Sequence, residues 1–198
     1  MNKLLKEIFD KLFSAISLIL FLPLMIIIGL LVKISSEGPI IFKQERVGKN
    51  GKVFQIYKFR TMCDKTQRKG IPVKGDPRIT PFGAFLRKWK LDELPELWNV
   101  LIGDMSFVGP RPYVPSMAEK LAGEHARILR WKPGMTGPAT LKYINEEEIL
   151  SSVDDPDRYN NEVIFPDKVK INLEYLDHWN FAQDMRILWY TLIRKRMR

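Results

Sequence analysis

The sequence predicts an α+β fold that is mostly helical, with an N-terminal membrane helix, a small β-hairpin and amphipathic helices suited to a membrane interface. Three observations predict it. Residues 12–32, LFSAISLILFLPLMIIIGLLV, carry no charge; two alternating apolar runs flank an Asn50-Gly51 pair; and from Phe82 onward apolar residues recur at helical spacing. Periods of 2 and of 3.6 residues distinguish strand from helix on the residues alone.

The uncharged run is long enough to reach across a bilayer core, which takes about 20 residues as a helix. It is too long for a signal-peptide core, and no small-x-small cleavage site precedes KISSEGPIIF. Pro23 falls at its middle. There it removes a backbone donor and crowds the preceding turn, so the helix should kink or break. Lys3, Lys6 and Lys11 precede the run, and Lys33, Lys43 and Arg46 follow it. Basic flanks on both sides give no orientation by charge. Two arrangements are open: a kinked spanning helix, which is the plainer one, and a re-entrant helix that keeps both flanks on the cytoplasmic side.

Next come strands over residues 40–47 and 53–62, joined through Asn50-Gly51, a strong hairpin signal. A polar, turn-rich loop then leads to Pro81. Phe82, Phe85, Leu86 and Trp89 share one helical face while Arg87, Lys88 and Lys90 lie elsewhere, which suits either core packing or a membrane interface. A second stripe, Leu94, Leu97, Trp98 and Leu101, places Asp92 at or next to a helix N-cap with Glu93 and Pro95 in the first turn. IGDMSFVGPRPYVP is a shaped turn that holds Arg111 between two prolines. An arginine so constrained loses little freedom on meeting a planar anion, and phosphate is its natural guest. Beyond it are a modest helix ending at Trp131, an acidic run Glu146 to Glu148 read as a solvated helix start, and a final helix. In that helix Phe181, Met185, Leu188 and Leu192 form one stripe beside Ala182, Trp189 and Ile193. Its cationic end, Arg194, Lys195, Arg196 and Arg198, suits an anionic headgroup layer.

At 198 residues the chain can build one domain with a real core. Its 32 basic and 23 acidic residues leave a net charge of +9, so an anionic partner is expected. No nucleic-acid recognition motif is present, and no nucleic-acid partner is expected. The single cysteine, Cys63, excludes an intrachain disulfide and fits a reducing compartment. The two histidines, His125 and His178, lack zinc-ligand spacing. Phosphate loops of the GxxxxGK type, GxSxG elbows and HExxH motifs are absent.

What remains is an adjacent acid pair, Asp92 and Glu93, accompanied by Lys58, Arg60, Arg78, Arg87 and Arg111 as candidate phosphate contacts. Diphosphate chemistry requires cations around the phosphates, and magnesium is held by one or two carboxylates plus substrate oxygens. An aspartate can also attack phosphorus directly. Neighbouring helical side chains diverge by about 100°, so the two acids suit separate tasks better than one shared chelate. They sit too close for a glycosidase pair. The rival reading is a non-catalytic membrane module with a basic face, in which Asp92 only caps a helix.

RVGKNGKVFQIYKFRTM, then RITPFGAFLRKWKLDELPELWNVLIGDMSFVGPRP, then PGMTG, closely resemble the bacterial sugar transferases known as monotopic phosphoglycosyl transferases. The likeness runs from the membrane helix to about residue 140, and the ordered set of motifs is highly specific. It implies a monotopic enzyme on the cytoplasmic face of the bacterial inner membrane. Such an enzyme moves a phosphosugar from a UDP-sugar to polyprenyl phosphate, typically undecaprenyl phosphate, and so begins exopolysaccharide or other glycoconjugate assembly. By this resemblance Asp92 becomes covalently phosphoglycosylated, and Glu93, with Asp92 beside it, holds Mg²⁺. Residues 1–35 would form a re-entrant membrane helix broken at Pro23, and 36–198 the catalytic unit. Membrane lipids are implied partners, and a homo-oligomer is compatible with the sequence. Two departures stand out. Leu22 replaces the serine of the family's Ser-Pro pair, and PATLKYINEEE follows PGMTG, where an arginine often found in relatives has no counterpart. The chain reads as a minimal catalytic unit.

Overall fold

The computed structural model describes residues 2–63 and 71–193. Helix α1, Asn2–Ser35, is long and apolar enough to cross a membrane. Pro23 lies inside it, and the helix runs on past the proline to Ser35. A proline forfeits one backbone hydrogen bond, which a long apolar helix tolerates. Residues 19–24 are all exposed. Six consecutive residues exceed one full turn, so this stretch is bare on every side.

Both ends of α1, in contrast, are docked. Near its start the Lys6 ammonium donates to the Val108 carbonyl at 2.9 Å and to Asp184 at 2.5 Å, and Asp10 accepts the Phe107 N–H at 3.2 Å. Near its end Ile28 and Val32 pack with Phe59 and Leu86. Arg60 closes that end, its guanidinium donating to the carbonyls of Ser36 (2.6 Å) and Pro39 and to the Ser36 hydroxyl (3.1 Å). A helix leaves its last carbonyls unpaired, and Arg60 satisfies carbonyls in and just beyond that last turn.

Strands β1, Ile41–Val47, and β2, Val53–Phe59, pair antiparallel with Val47 opposite Val53. Asn50 (φ 58°) and Gly51 (φ 77°) occupy the left-handed conformations that make this turn feasible. The second strand ends before the predicted Met62, which instead forms an isolated bridge with Ile79. Helix α2, Pro81–Trp89, begins with the Thr80 hydroxyl accepting the Gly83 N–H at 2.9 Å and proline at its first position. A Cβ on Gly83 would sit 2.1 Å from the Thr61 carbonyl, so only glycine lets α2 lie this close to the chain leaving β2.

A 3₁₀ turn, Leu91–Glu93, leads to helix α3, Glu96–Ile102, which is tied to β2 by the fully buried Asn99. Its side chain accepts from Tyr57 N (3.1 Å) and donates to Gln55 O (2.7 Å), satisfying the edge of β2 that lacks a strand partner. Strand β3, Ser106–Val108, runs parallel to β4, Gly134–Thr136; between them lie α4, Pro115–Ala118, and a 3₁₀ segment, Gly123–Arg130. The helix expected up to Trp131 is therefore two short pieces. Gly109 and Gly134 cross so closely that a Cβ on Gly134 would lie 2.1 Å from the Gly109 nitrogen, which explains the glycines of VGP and PGMTG as packing requirements.

Helices α5, Pro138–Lys142, α6, Glu146–Ser151, and α7, Pro156–Tyr159, lead through a π turn, Asn160–Ile164, into α8, Phe165–Asp177, and α9, Phe181–Leu192. The largest core, including Val108, Ile128, Leu141, Val169, Tyr175 and Ile187, joins β3 to the C-terminal helices. Asp184 and Ile187 are the buried residues of α9, Leu188 of the stripe packs against the core, and Trp189 and Leu192 are exposed. The basic end at residues 194–198 lies outside the described residues.

Candidate active site

The acid pair sits in the 3₁₀ turn between α2 and α3, not at a helix N-cap. Proline at 95 occupies that N-cap position, and Lys90 adopts a left-handed backbone (φ 59°) that turns the chain sharply just before Asp92. A non-glycine residue there costs about 1–3 kcal/mol and persists only where packing enforces it. The flanking Leu91 and Leu94 supply that packing by joining the Ile28, Val32, Phe59 and Leu86 cluster.

Asp92 and Glu93 are both buried, 6% and 8% exposed, yet their surroundings differ. Asp92 Oδ1 is buried with no hydrogen-bond partner. No side chain caps the 3₁₀ turn or α3, so Asp92 is not the helix cap that its spacing suggested. Glu93 Oε1 accepts from Lys58 at 2.9 Å and from Arg111. Burial and the adjacent Glu93 charge push the Asp92 carboxyl above the usual range, opposed by Lys58, Lys90 and Arg87. Burial also works to raise Glu93, but Arg111, Lys58 and Lys90 outweigh it and hold this carboxyl well below its ordinary value. The two acids are thus electrostatically unequal, as separate tasks require.

The structure groups Lys58 and Arg111 on Glu93 and sets Arg87 nearby, where it donates to Glu147 and, at 3.5 Å, to the Thr61 hydroxyl. Arg111 is aimed by its proline frame: Gly134 N donates to Pro110 O at 2.8 Å, and Arg46 donates to Pro112 O at 3.0 Å. Arg60 and Arg78 are engaged with other partners. Arg60 closes α1, and Arg78 is engaged with Asp76 at 2.6 Å. The acidic run is the solvated start of α6, as expected, with its side chains 30–52% exposed, and Glu146 and Glu147 also pair there with Lys168 and Arg87.

Sequence reasoning missed Glu96, which is 1% exposed with Oε1 3.1 Å from Lys58. Burial, with the Glu93 charge adding to it, pushes its carboxyl up to about 7. Its only sequence signal is its place three residues after Glu93, one helical turn on. It also missed Arg46, whose pKa burial and the neighbouring Arg111 lower to about 10. For a divalent ion, the unpartnered Asp92 Oδ1 and the part of Glu93 left free by its cations fit a site completed by substrate oxygens. They do not make an all-protein cage; among the described residues no group of three or more His, Cys, Asp or Glu converges.

Comparison with known proteins identifies the chain's family. The profile of the bacterial sugar transferase family matches residues 1–197. The chain is 38% identical over 100% of its length to the exopolysaccharide production protein PSS of Rhizobium leguminosarum bv. phaseoli, covering 98% of that protein. It is 35% identical to the UDP-glucose:undecaprenyl-phosphate glucose-1-phosphate transferase of Escherichia coli K12, over 98% of this chain and 40% of that one. It is 37% identical to the undecaprenyl-phosphate galactose phosphotransferase of Salmonella typhimurium, over 96% of this chain and again 40% of the relative. With residues 1–197 matched by the family profile and its full length aligned to PSS, the chain belongs to the bacterial sugar transferase family.

Proposed function

We propose that this chain is a phosphoglycosyl transferase that moves a phosphosugar from a UDP-sugar to polyprenyl phosphate, with Asp92 as the covalent nucleophile. The observation that carries this reading is the unequal pair: a buried Asp92 oxygen without a partner beside a Glu93 fixed by Lys58 and Arg111. An aspartate with no hydrogen bond to lose is poised to attack, whereas a clamped glutamate is not.

In the first step an Asp92 oxygen attacks the phosphorus that carries the sugar. The bond from that phosphorus to the bridging oxygen breaks, and UMP leaves with the electron pair. In the second step a phosphate oxygen of the polyprenyl acceptor attacks the same phosphorus, and the acyl phosphate bond breaks to restore Asp92 and yield the lipid diphosphate sugar. Lys58, Arg111 and Arg87 offset charge on the phosphates and orient them. Magnesium, held by Glu93 with Asp92 and completed by donor phosphate oxygens, would supply Lewis-acid stabilisation of the leaving phosphate.

A lipid acceptor requires access from the bilayer. The docking of both ends of α1 on one protein body, with residues 19–24 bare between them, favours a membrane helix whose two ends stay on one side of the bilayer over a span; that this side is cytoplasmic is part of the same proposal. The exposed Phe85, Trp89 and Trp98 on α2 and α3 suit the same interface. On this reading residues 1–35 are the membrane element and 36–198 the catalytic unit.

The test is release of UMP and formation of lipid diphosphate sugar by the detergent-purified chain with Mg²⁺, polyprenyl phosphate and a panel of UDP-sugars. Turnover with one donor or a few is expected. A folded protein that releases UMP from none of them would point to the non-catalytic module.

A further inference from the structure

The start of α6 covers two cations at once. Glu146 places both carboxylate oxygens 2.6 Å from the Lys168 ammonium, and the next residue, Glu147, accepts from Arg87. Two consecutive residues at the start of α6 thus hold one cation from α2, Arg87, and one from α8, Lys168. Arg87 lies in the last turn of α2, which leads directly into the turn that carries the acid pair. The charge of Arg87 acts on Asp92, and those of Arg111 and Lys90 act on Lys168, whose pKa is lowered chiefly by burial.

Neither pair is sealed from solvent. Lys168 and Glu146 are 20% and 30% exposed, Arg87 and Glu147 21% and 40%. Arg87 Nε is buried and donates to nothing, as Asp92 Oδ1 is buried and accepts nothing. Arg87, with an unused guanidinium donor, and Lys168 are anion-binding cations whose present partners are the protein's own carboxylates. A phosphate offers the same planar pairing to arginine with more oxygens and more charge.

We propose that Lys168 is a further donor-binding residue, and that Glu146 and Glu147 stand in for the phosphates of a nucleoside diphosphate, occupying Lys168 and Arg87 until the donor displaces them. The proposal rests on the transferase reading for the identity of the donor. It assigns a binding role to a lysine that the sequence places in an acidic region remote from the motifs.

The test is calorimetric titration of UDP into the full chain with Mg²⁺, a readout that needs no turnover. Lys168→Met is expected to weaken UDP about tenfold and Lys168→Arg less than about threefold, whereas Glu146→Gln and Glu147→Gln tighten it by about three- to tenfold. The opposite signs are diagnostic, because a purely structural Lys168–Glu146 pair would be weakened alike from either side. Should Lys168→Met fail to fold, the two glutamate variants decide alone. Unchanged or weaker UDP binding in both overturns the proposal, as does an absence of UDP binding by every folded form. UDP binding with the expected signs but no UMP release from any UDP-sugar would sustain this site while removing the transferase reading.

Discussion

Asp184 and Asp92 are buried to a similar degree, 1% and 6% exposed, but their oxygens meet different surroundings. Asp184 receives Lys6 at 2.5 Å, the Tyr175 hydroxyl at 2.5 Å and the Trp179 indole N–H at 3.1 Å. Asp92 keeps Oδ1 without any partner. A saturated buried carboxylate is an anchor, here fixing the start of α1 to α9 and β3. An unsaturated one is unfavourable in the resting protein, and that cost is consistent with chemistry still to be done. The contrast separates structural from chemical acids in a way that burial alone does not.

The largest expected effect is on catalysis. Asp92→Asn should lower turnover by at least about a thousandfold, as loss of a nucleophile does. Its thermal midpoint in detergent should stay level or rise, because a neutral amide replaces a poorly compensated buried charge. Asp184→Ala should behave in the opposite manner, losing about 3–5 kcal/mol of stability by stranding Lys6. Equal destabilisation of both variants in thermal melts would dissolve the comparison.

Glu96 sharpens it through pH. Its folded-state pKa of about 7 exceeds the ordinary 4.5, so between those values the native state binds more protons than the unfolded one. Stability therefore falls as pH rises through this window, by up to about 1.4 kcal/mol per pH unit from this group. Glu96→Gln should flatten that slope in denaturant titrations run from pH 5 to about 7, and an unaltered slope would show that Glu96 ionises normally. The smallest effect concerns Arg60. Arg60→Lys should cost about 1–2 kcal/mol through lost contacts at the end of α1, while donor KM stays unchanged. A raised KM would return Arg60 to the site.

Local features were legible in the sequence because local physics makes them. The hairpin follows from Asn50 and Gly51, which tolerate positive φ, and α2 from Thr80-Pro81 and its apolar spacing. The acid pair was visible, but its turn was not. Helical spacing of Leu94 and Leu97 suggested a cap at Asp92, whereas the left-handed Lys90 and Pro95 shift the helix start beyond it. The pairings Arg87–Glu147 and Lys168–Glu146 join residues 60 and 22 positions apart, and Lys6–Asp184 spans 178. No periodicity reports such contacts, so phosphate-directed roles for Arg60 and Arg78 could not be separated on sequence from their places at the α1 end and beside Asp76.

The central claim, that Asp92 is the nucleophile, is tested most directly by intact-protein mass spectrometry. The detergent-purified chain and its Asp92→Asn variant would be incubated with Mg²⁺ and UDP-sugars in the absence of lipid acceptor. A mass increase equal to one phosphosugar on the native chain alone is the predicted result, and the increment identifies the sugar class. Continued turnover of polyprenyl phosphate by Asp92→Asn, with no adduct on either protein, would contradict the account.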